Sequence, residues 1–190
     1  MGGTPGALAN VAQRFEADRL KYPGLLPEET IVLRAWLALH QTEYDRFDYN
    51  VRVGPGDDPG PKFSAAIRAD GIALTQLRMD AVGWKGIGNA QLPALITSPS
   101  QVYDVVPGAQ ATIIEVKRRG TSTNIGQLTT YYHAWITEFP RPAAPRLILA
   151  CTLYSPSILP AIRNLNIELD VVQADFSSLK VPAHVKTPKL

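Results

Sequence analysis

Residues 111–135 read ATIIEVKRRG TSTNIGQLTT YYHAW, and this stretch decides the fold. Its first half predicts a buried strand over 111–120. Ile113, Ile114 and Val116 are β-branched, and Arg118-Arg119-Gly120 closes the run. Side chains alternate along a strand, so Glu115 and Lys117 point the same way, one step apart. A carboxylate and an ammonium on a mostly apolar strand are costly unless they pair or hold an ion. The second half predicts a helix, because Ile125, Leu128, Tyr132 and Trp135 recur at helical spacing. Gln127 and Tyr131, four apart, share a face of it.

Working outward, Arg146–Tyr154 (RLILACTLY) is nearly all apolar, as expected of a central strand covered on both faces. Ser155-Pro156 opens a helix to about Leu165, and Ile167–Val172 reads as a last strand. On the other side, Ile72–Trp84 predicts a strand with Leu77, Met79 and Ala81 on one face and Arg78, Asp80 and Val82 on the other. Between them, Lys85–Gly108 reads as a Gly/Pro-rich insertion with a short strand at Val102–Val106. Tyr44–Val53 alternates, with Phe47, Tyr49, Val51 and Val53 on one face. Gly54–Pro61 reads as a loop and Phe63–Ile67 as a short strand. Helices are expected over Ala7–Leu20 and from Pro27 to about His40–Glu43, the second with Val32, Trp36 and Leu39 on its apolar face. The sum is an α/β fold, a central mixed sheet flanked by helices. One domain over 1–190 is expected, with a core of about 30–172. A helical extension over about 7–22 and a loose tail over about 182–190, bearing Lys186 and Lys189, complete it.

Composition narrows the function. The chain has 190 residues, 45% hydrophobic, which suffices for one real core. A formal net charge of +2 permits a polyanionic partner without demanding one. Cys151 is the single cysteine, so an intrachain disulfide and a cysteine-based zinc site are excluded. His40, His133 and His184 lack metal-like spacing, and Trp36, Trp84 and Trp135 read as core. No apolar run reaches membrane-spanning length and the N-terminus has no signal-like pattern, so the expectation is a soluble, cytoplasmic protein with no membrane partner.

Phosphodiester hydrolysis uses a divalent ion to activate water. Magnesium takes few protein ligands, mainly carboxylates. Asp80, Glu115, the main-chain carbonyl of Val116 and the neighbouring Lys117 supply such a set, provided the Asp80 and Glu115 strands pair and both acids face one way. RMDAVGW followed by TIIEVK resembles the D…ExK core of the PD-(D/E)xK nucleases, and GQLTTYY resembles the Q-x-x-x-Y helix of the branch that includes the RecB nuclease domain and lambda exonuclease. The resemblance spans about Thr30 to Val172 in element order. It implies a restriction-endonuclease-like core and a DNA nuclease directed to structures or ends rather than to a sequence. It implies Mg²⁺ or Mn²⁺ held by Asp80, Glu115 and the Val116 carbonyl, with Lys117 assisting catalysis and Gln127 and Tyr131 positioning the lysine or the DNA backbone. That branch often adds an early-helix glutamate, for which Glu43 is the nearest match and Glu29 the next. Two features depart from the pattern. Met79 stands where a proline is expected, and the gap to Glu115 is long, which makes Asp104 the second candidate for the aspartate role. Arg118, Arg119, Lys85 and Arg78 are the candidate phosphate contacts.

Read without chemistry, Glu-x-Lys on a strand is a solvated cross-strand pair and Arg118-Arg119 a wet strand end. The rival functional reading is a nuclease fold kept as a catalytically idle scaffold or DNA-binding protein, such as a phage virion or assembly component. Enzymes of this class often work as homo-oligomers, although no interface is legible here.

Overall fold

The computed structural model describes residues 22, 24–54, 56, 61, 62, 64–68, 76–140, 144–177 and 179. The expected helix over 7–20 and the tail over 182–190 lie outside these. Five strands form one sheet in the order β1 (Arg46–Val53), β2 (Leu77–Lys85), β3 (Gln110–Gly120), β4 (Arg146–Tyr154), β5 (Ile167–Val171). β1, β2 and β3 pair antiparallel, while β3, β4 and β5 pair parallel. The architecture is therefore α/β with an open mixed sheet flanked by helices. Among the described residues, no helix is long and apolar enough to cross a membrane.

The two faces carry separate cores. Helix α1 (Pro27–His40) has Pro27 at its first turn, where a missing N–H costs nothing, and Glu28 and Glu29 beside it. It buries Val32, Leu33 and Trp36 against Ile114, Val116, Ile148 and Ala150. Leu39, expected on that face, is exposed instead. A short helix α2 (Ser100–Tyr103) precedes β3. Helix α3 (Ser122–Glu138) covers the other face, burying Ile125, Leu128, Tyr131 and Trp135 against Ile113, Leu147, Leu149 and Trp84. Helix α4 (Leu159–Asn164) leads into β5. Each fully buried large side chain contributes about 1.5–3 kcal/mol relative to exposure. β3 and β4 are buried on both faces from Ala111 to Val116 and from Leu147 to Cys151, as apolar runs in a covered sheet require.

Three local expectations are corrected. Residues 65–68 form a helical turn rather than a strand, with Arg68 N donating to Ser64 O at 3.0 Å. The segment expected as a strand over 102–106 begins within α2, whose start is tied by Thr97 N and Ser98 N to the Gln101 carboxamide oxygen. Its insertion is well packed: Ile87, Ile96, Val102 and Tyr103 join the α3-side core. Arg52 N donates to Thr97 O, and Arg46 donates to the carbonyls of Pro93 and Ala94, covering the outer edge of β1. The third correction concerns alternation. Phe47 and Tyr49 face α1, but Val51 and Val53 face α3. On β2, Ala81 faces α1 while Met79 faces α3. Both strands change face at the step where Asn50, at φ +54°, stands beside Asp80. A left-handed residue turns the strand over, and strict period-2 reading cannot foresee it.

Candidate active site

The site sits where β2 and β3 part company. Their pairing runs from Lys85↔Gln110 to Ala81↔Ile114 and ends there. The next residues are Asp80 and Glu115. With its β2 partner gone, the Val116 N–H is free on that edge, and it donates to Asp80 Oδ2 at 2.9 Å. The carboxylate thus replaces the missing rung of the ladder, which fixes its position.

Lys117 Nζ gathers the remaining acids. It lies 3.1 Å from Asp80 Oδ2, 3.0 Å from Glu115 Oε1 and 2.6 Å from Glu29 Oε1. Glu29 is held from the other side, since its Oε2 accepts the Leu26 N–H at the start of α1 at 2.9 Å. Three carboxylates from α1, β2 and β3 therefore converge on one ammonium. Of the two early glutamates, Glu29 reaches the cluster. Glu43 pairs instead with His40 Nδ1 at 2.7 Å. Asp104 caps the C-terminal end of α2 and contributes nothing to the cluster, where Asp80 is the aspartate.

Glu115 is the strained member. It is 0% exposed; Oε1 lies 3.0 Å from the Lys117 ammonium, and neither carboxylate oxygen makes a hydrogen bond. Burial first, and then the charge of Asp80, push its pKa up to about 8. Burial also raises Asp80, opposed by Lys117 and by the Val116 N–H. For Lys117, burial works against the charged form, but the carboxylates of Asp80, Glu115 and Glu29 outweigh it and hold the ammonium above its ordinary pKa. Tyr131 is buried beside the cluster, and burial together with the charges of Glu115 and Asp80 raises its phenol.

Gln127 touches none of the three acids. Its Oε1 accepts from Asn124 Nδ2 at 3.1 Å, and Asn124 Oδ1 in turn accepts from Thr121 N and Thr121 Oγ1, both at 2.9 Å. This chain of bonds orients the amide and leaves its N–H₂ as the open end. Of the basic candidates, Arg118 and Arg119 follow Lys117 directly and are exposed. Arg78 is exposed two residues from Asp80. Lys85 stands at the far end of β2, about 17 Å along the strand from Asp80, over the Tyr44 ring.

The donor set is all oxygen and fits a hard divalent cation. The two undonated, fully buried oxygens of Glu115 are the observation that argues for this fit. The ammonium itself lies where the acids converge, and among the described residues no group of three or more His, Cys, Asp or Glu stands at metal-holding distances. The chain matches no family model, no curated protein and no solved structure.

Proposed function

We propose that this chain is a divalent-metal-dependent nuclease that hydrolyses DNA phosphodiester bonds, with a restriction-endonuclease-like core of the PD-(D/E)xK type. The observation that carries the reading is the meeting of Asp80, Glu115 and Glu29 around Lys117 at the splayed end of β2 and β3. Three acids and a lysine from three distant stretches converge where the strand pairing ends, beside a helix that starts with a self-capped turn. A solvated ion pair would not need a fully buried glutamate.

Asp80, Glu115 and the main-chain carbonyl of Val116 would hold Mg²⁺ or Mn²⁺, with Glu29 close enough to join them. Bound there, the ion would lower the pKa of a water and offset charge building on the phosphate. The chain's own contributions are separate. Lys117 keeps its proton over the physiological range and, with two of its N–H groups on Glu29 and Asp80, brings a remaining donor for a phosphate oxygen or an attacking water. Tyr131 is buried beside the cluster and would help position the lysine or the DNA backbone. Gln127 offers amide donors at the rim. Arg118 and Arg119 add sequence-independent grip on the backbone.

A second reading has one observation in its favour. Lys117 already pairs with all three acids and burial favours the uncharged form of Glu115, so the fold can stand without a divalent cation, as an idle scaffold or DNA-binding protein, a phage virion component for example, would require. Incubation with linear, nicked, circular and branched DNA in Mg²⁺, in Mn²⁺ and in chelator separates the two. The nuclease reading expects metal-dependent cleavage that Glu115→Gln and Lys117→Ala both abolish. Cleavage that survives both substitutions overturns this site. Absence of cleavage, together with no heat of Mg²⁺ or Mn²⁺ binding by calorimetry, favours the scaffold.

A further inference from the structure

We infer that Asn50 is a positioning residue for the acid cluster: its left-handed backbone turns β1 and β2 over together and so aims the Asp80 carboxylate along the sheet at β3. The inference rests on the nuclease reading above for the chemistry that Asp80 performs, but not for the geometry. Residues two apart on a strand ordinarily share a face. Here Tyr49 and Ala81 are partners on the α1 side, whereas Val51 and Met79, two residues along, are partners on the α3 side. Both strands therefore turn over at one step, between rungs that stay paired on either side. Asn50, at φ +54°, lies in that step and is the one described strand residue with a positive φ. β2 follows β1 because the flanking rungs tie the two strands together.

The turnover decides where Asp80 points. With unbroken alternation from Ala81, Asp80 would face the α3 core and Met79 the α1 core. Met79 is instead fully buried on the α3 side. The Asp80 carboxylate reaches sideways: it accepts the Val116 N–H at 2.9 Å and lies 3.1 Å from Lys117 Nζ. The N–H groups of a strand point within the sheet towards its neighbour, so an acceptor on Val116 N lies between the two faces. A side chain caught halfway through a turnover has that direction, and one in regular alternation does not.

Residue type at this step follows from the backbone. Asparagine and glycine enter the left-handed region readily, and β-branched residues resist it. The Asn50 side chain adds a second tie. A Cβ on Gly24 would stand 3.2 Å from Asn50 Oδ1, so the carboxamide lies against the Gly24 backbone. Gly24, at φ +89°, belongs to the turn that feeds α1, in which Leu25 N donates to Tyr22 O at 3.4 Å. The Tyr22 ring meets the Tyr49 ring edge-on, with centroids 4.8 Å apart. One turn into α1, Glu29 meets Lys117 at 2.6 Å. The elements that deliver Asp80 and Glu29 to the lysine thus meet at Asn50. Strain kept beside such a cluster is where a positioning role is expected.

The test compares Asn50→Val with Asn50→Gly by two readouts. The first is amide hydrogen exchange in chelator, without substrate. Asn50→Val should speed exchange at Val116 about tenfold relative to the other β3 amides, because that N–H loses its carboxylate acceptor. The second is Mg²⁺-dependent cleavage of linear DNA, where Asn50→Val should lower kcat about 100-fold and leave KM within about threefold, since a misplaced ligand costs the reaction and not the grip on the backbone. Asn50→Gly, which adopts the same φ freely, should restore both readouts to within about threefold of wild type. Should Asn50→Val fail to fold, Asn50→Ala carries the same comparison with smaller losses. An unchanged Val116 amide, a glycine variant as impaired as the valine one, or a loss confined to KM would overturn the role. The parent reading fails separately. A wild-type protein that cuts nothing, with Val116 exchange shifted as expected, sinks the nuclease and leaves Asn50 as the residue that aims Asp80. Wild-type cleavage that Asn50→Val leaves intact does the reverse.

Discussion

Replacing Glu115 by Gln should make the protein more stable above neutral pH and inactive at the same time. In the native fold Glu115 keeps its proton to about pH 8, whereas the free side chain ionises near 4.5. Between those limits the native state binds more protons than the unfolded chain, so stability falls as pH rises and the loss is complete above about pH 8. Each pH unit of such a difference is worth about 1.4 kcal/mol, which sets a ceiling of about 5 kcal/mol. Asp80, raised by the same burial, adds in the same direction. Lys117 does not reverse the sign. Its raised pKa contributes stability that is fully present below the ordinary lysine value and therefore constant through this window. The glutamine keeps the shape, removes the buried anion, and leaves Lys117 with Glu29 and Asp80 at 2.6 and 3.1 Å. After loss of the Glu115 contact, a net gain of about 1–3 kcal/mol near pH 9 is expected, shrinking to nothing near pH 5. Urea melts of both proteins across that range measure it. If the glutamine variant is the less stable protein near pH 9, or wild-type stability climbs between pH 5 and pH 8, the account of this site is wrong.

The other predictions concern the same cluster and the sheet beneath it. Lys117→Met leaves the Asp80 and Glu29 carboxylates beside the buried Glu115 carboxyl without their cation, and should cost about 3–5 kcal/mol near neutral pH, with partial recovery in acid as the carboxylates take up protons. In that variant Mg²⁺ should raise Tm more than in wild type, because a divalent ion can then take the place of the ammonium; scanning calorimetry with and without chelator reads this directly. Glu29→Gln should lower metal-dependent cleavage, while Glu43→Gln and Asp104→Asn should leave it within about twofold, since neither acid joins the cluster. Equal loss in all three would point to a different set of ligands. Gly83→Ala should destabilise by about 1–3 kcal/mol in urea, because its Cβ would meet the Tyr44 ring at 2.6 Å and Phe47 at 3.0 Å inside a packed cluster.

Much of this molecule was legible in its amino-acid order. The β-branched and apolar runs of β3 and β4 announce strands covered on both faces, and the spacing of Ile125, Leu128 and Trp135 announces the buried face of α3. The pairing of Glu115 with Lys117 is readable for the same local reason: alternation on a strand is a property of the backbone itself. Other features depend on partners distant in the chain. Glu29 and Glu43 are both acids near the ends of one early helical stretch, and only the docking of α1 across β3 decides that Glu29 meets Lys117, whereas Glu43 pairs locally with His40, three residues back. Asp80 and Asp104 are separated only by where β2 stops pairing, which leaves the Val116 N–H for Asp80. The turnover of β1 and β2 at Asn50 follows from a single positive φ. Sequence by itself therefore determined the main strands and helices, the covered faces of β3, β4 and α3, and the Glu115–Lys117 couple, because these follow from periodicity within a few residues; the faces of β1 and β2 were not among them. Which third acid completes the cluster, and how far burial raises Glu115, were decided by tertiary structure alone, because charge and desolvation act through space and not along the chain.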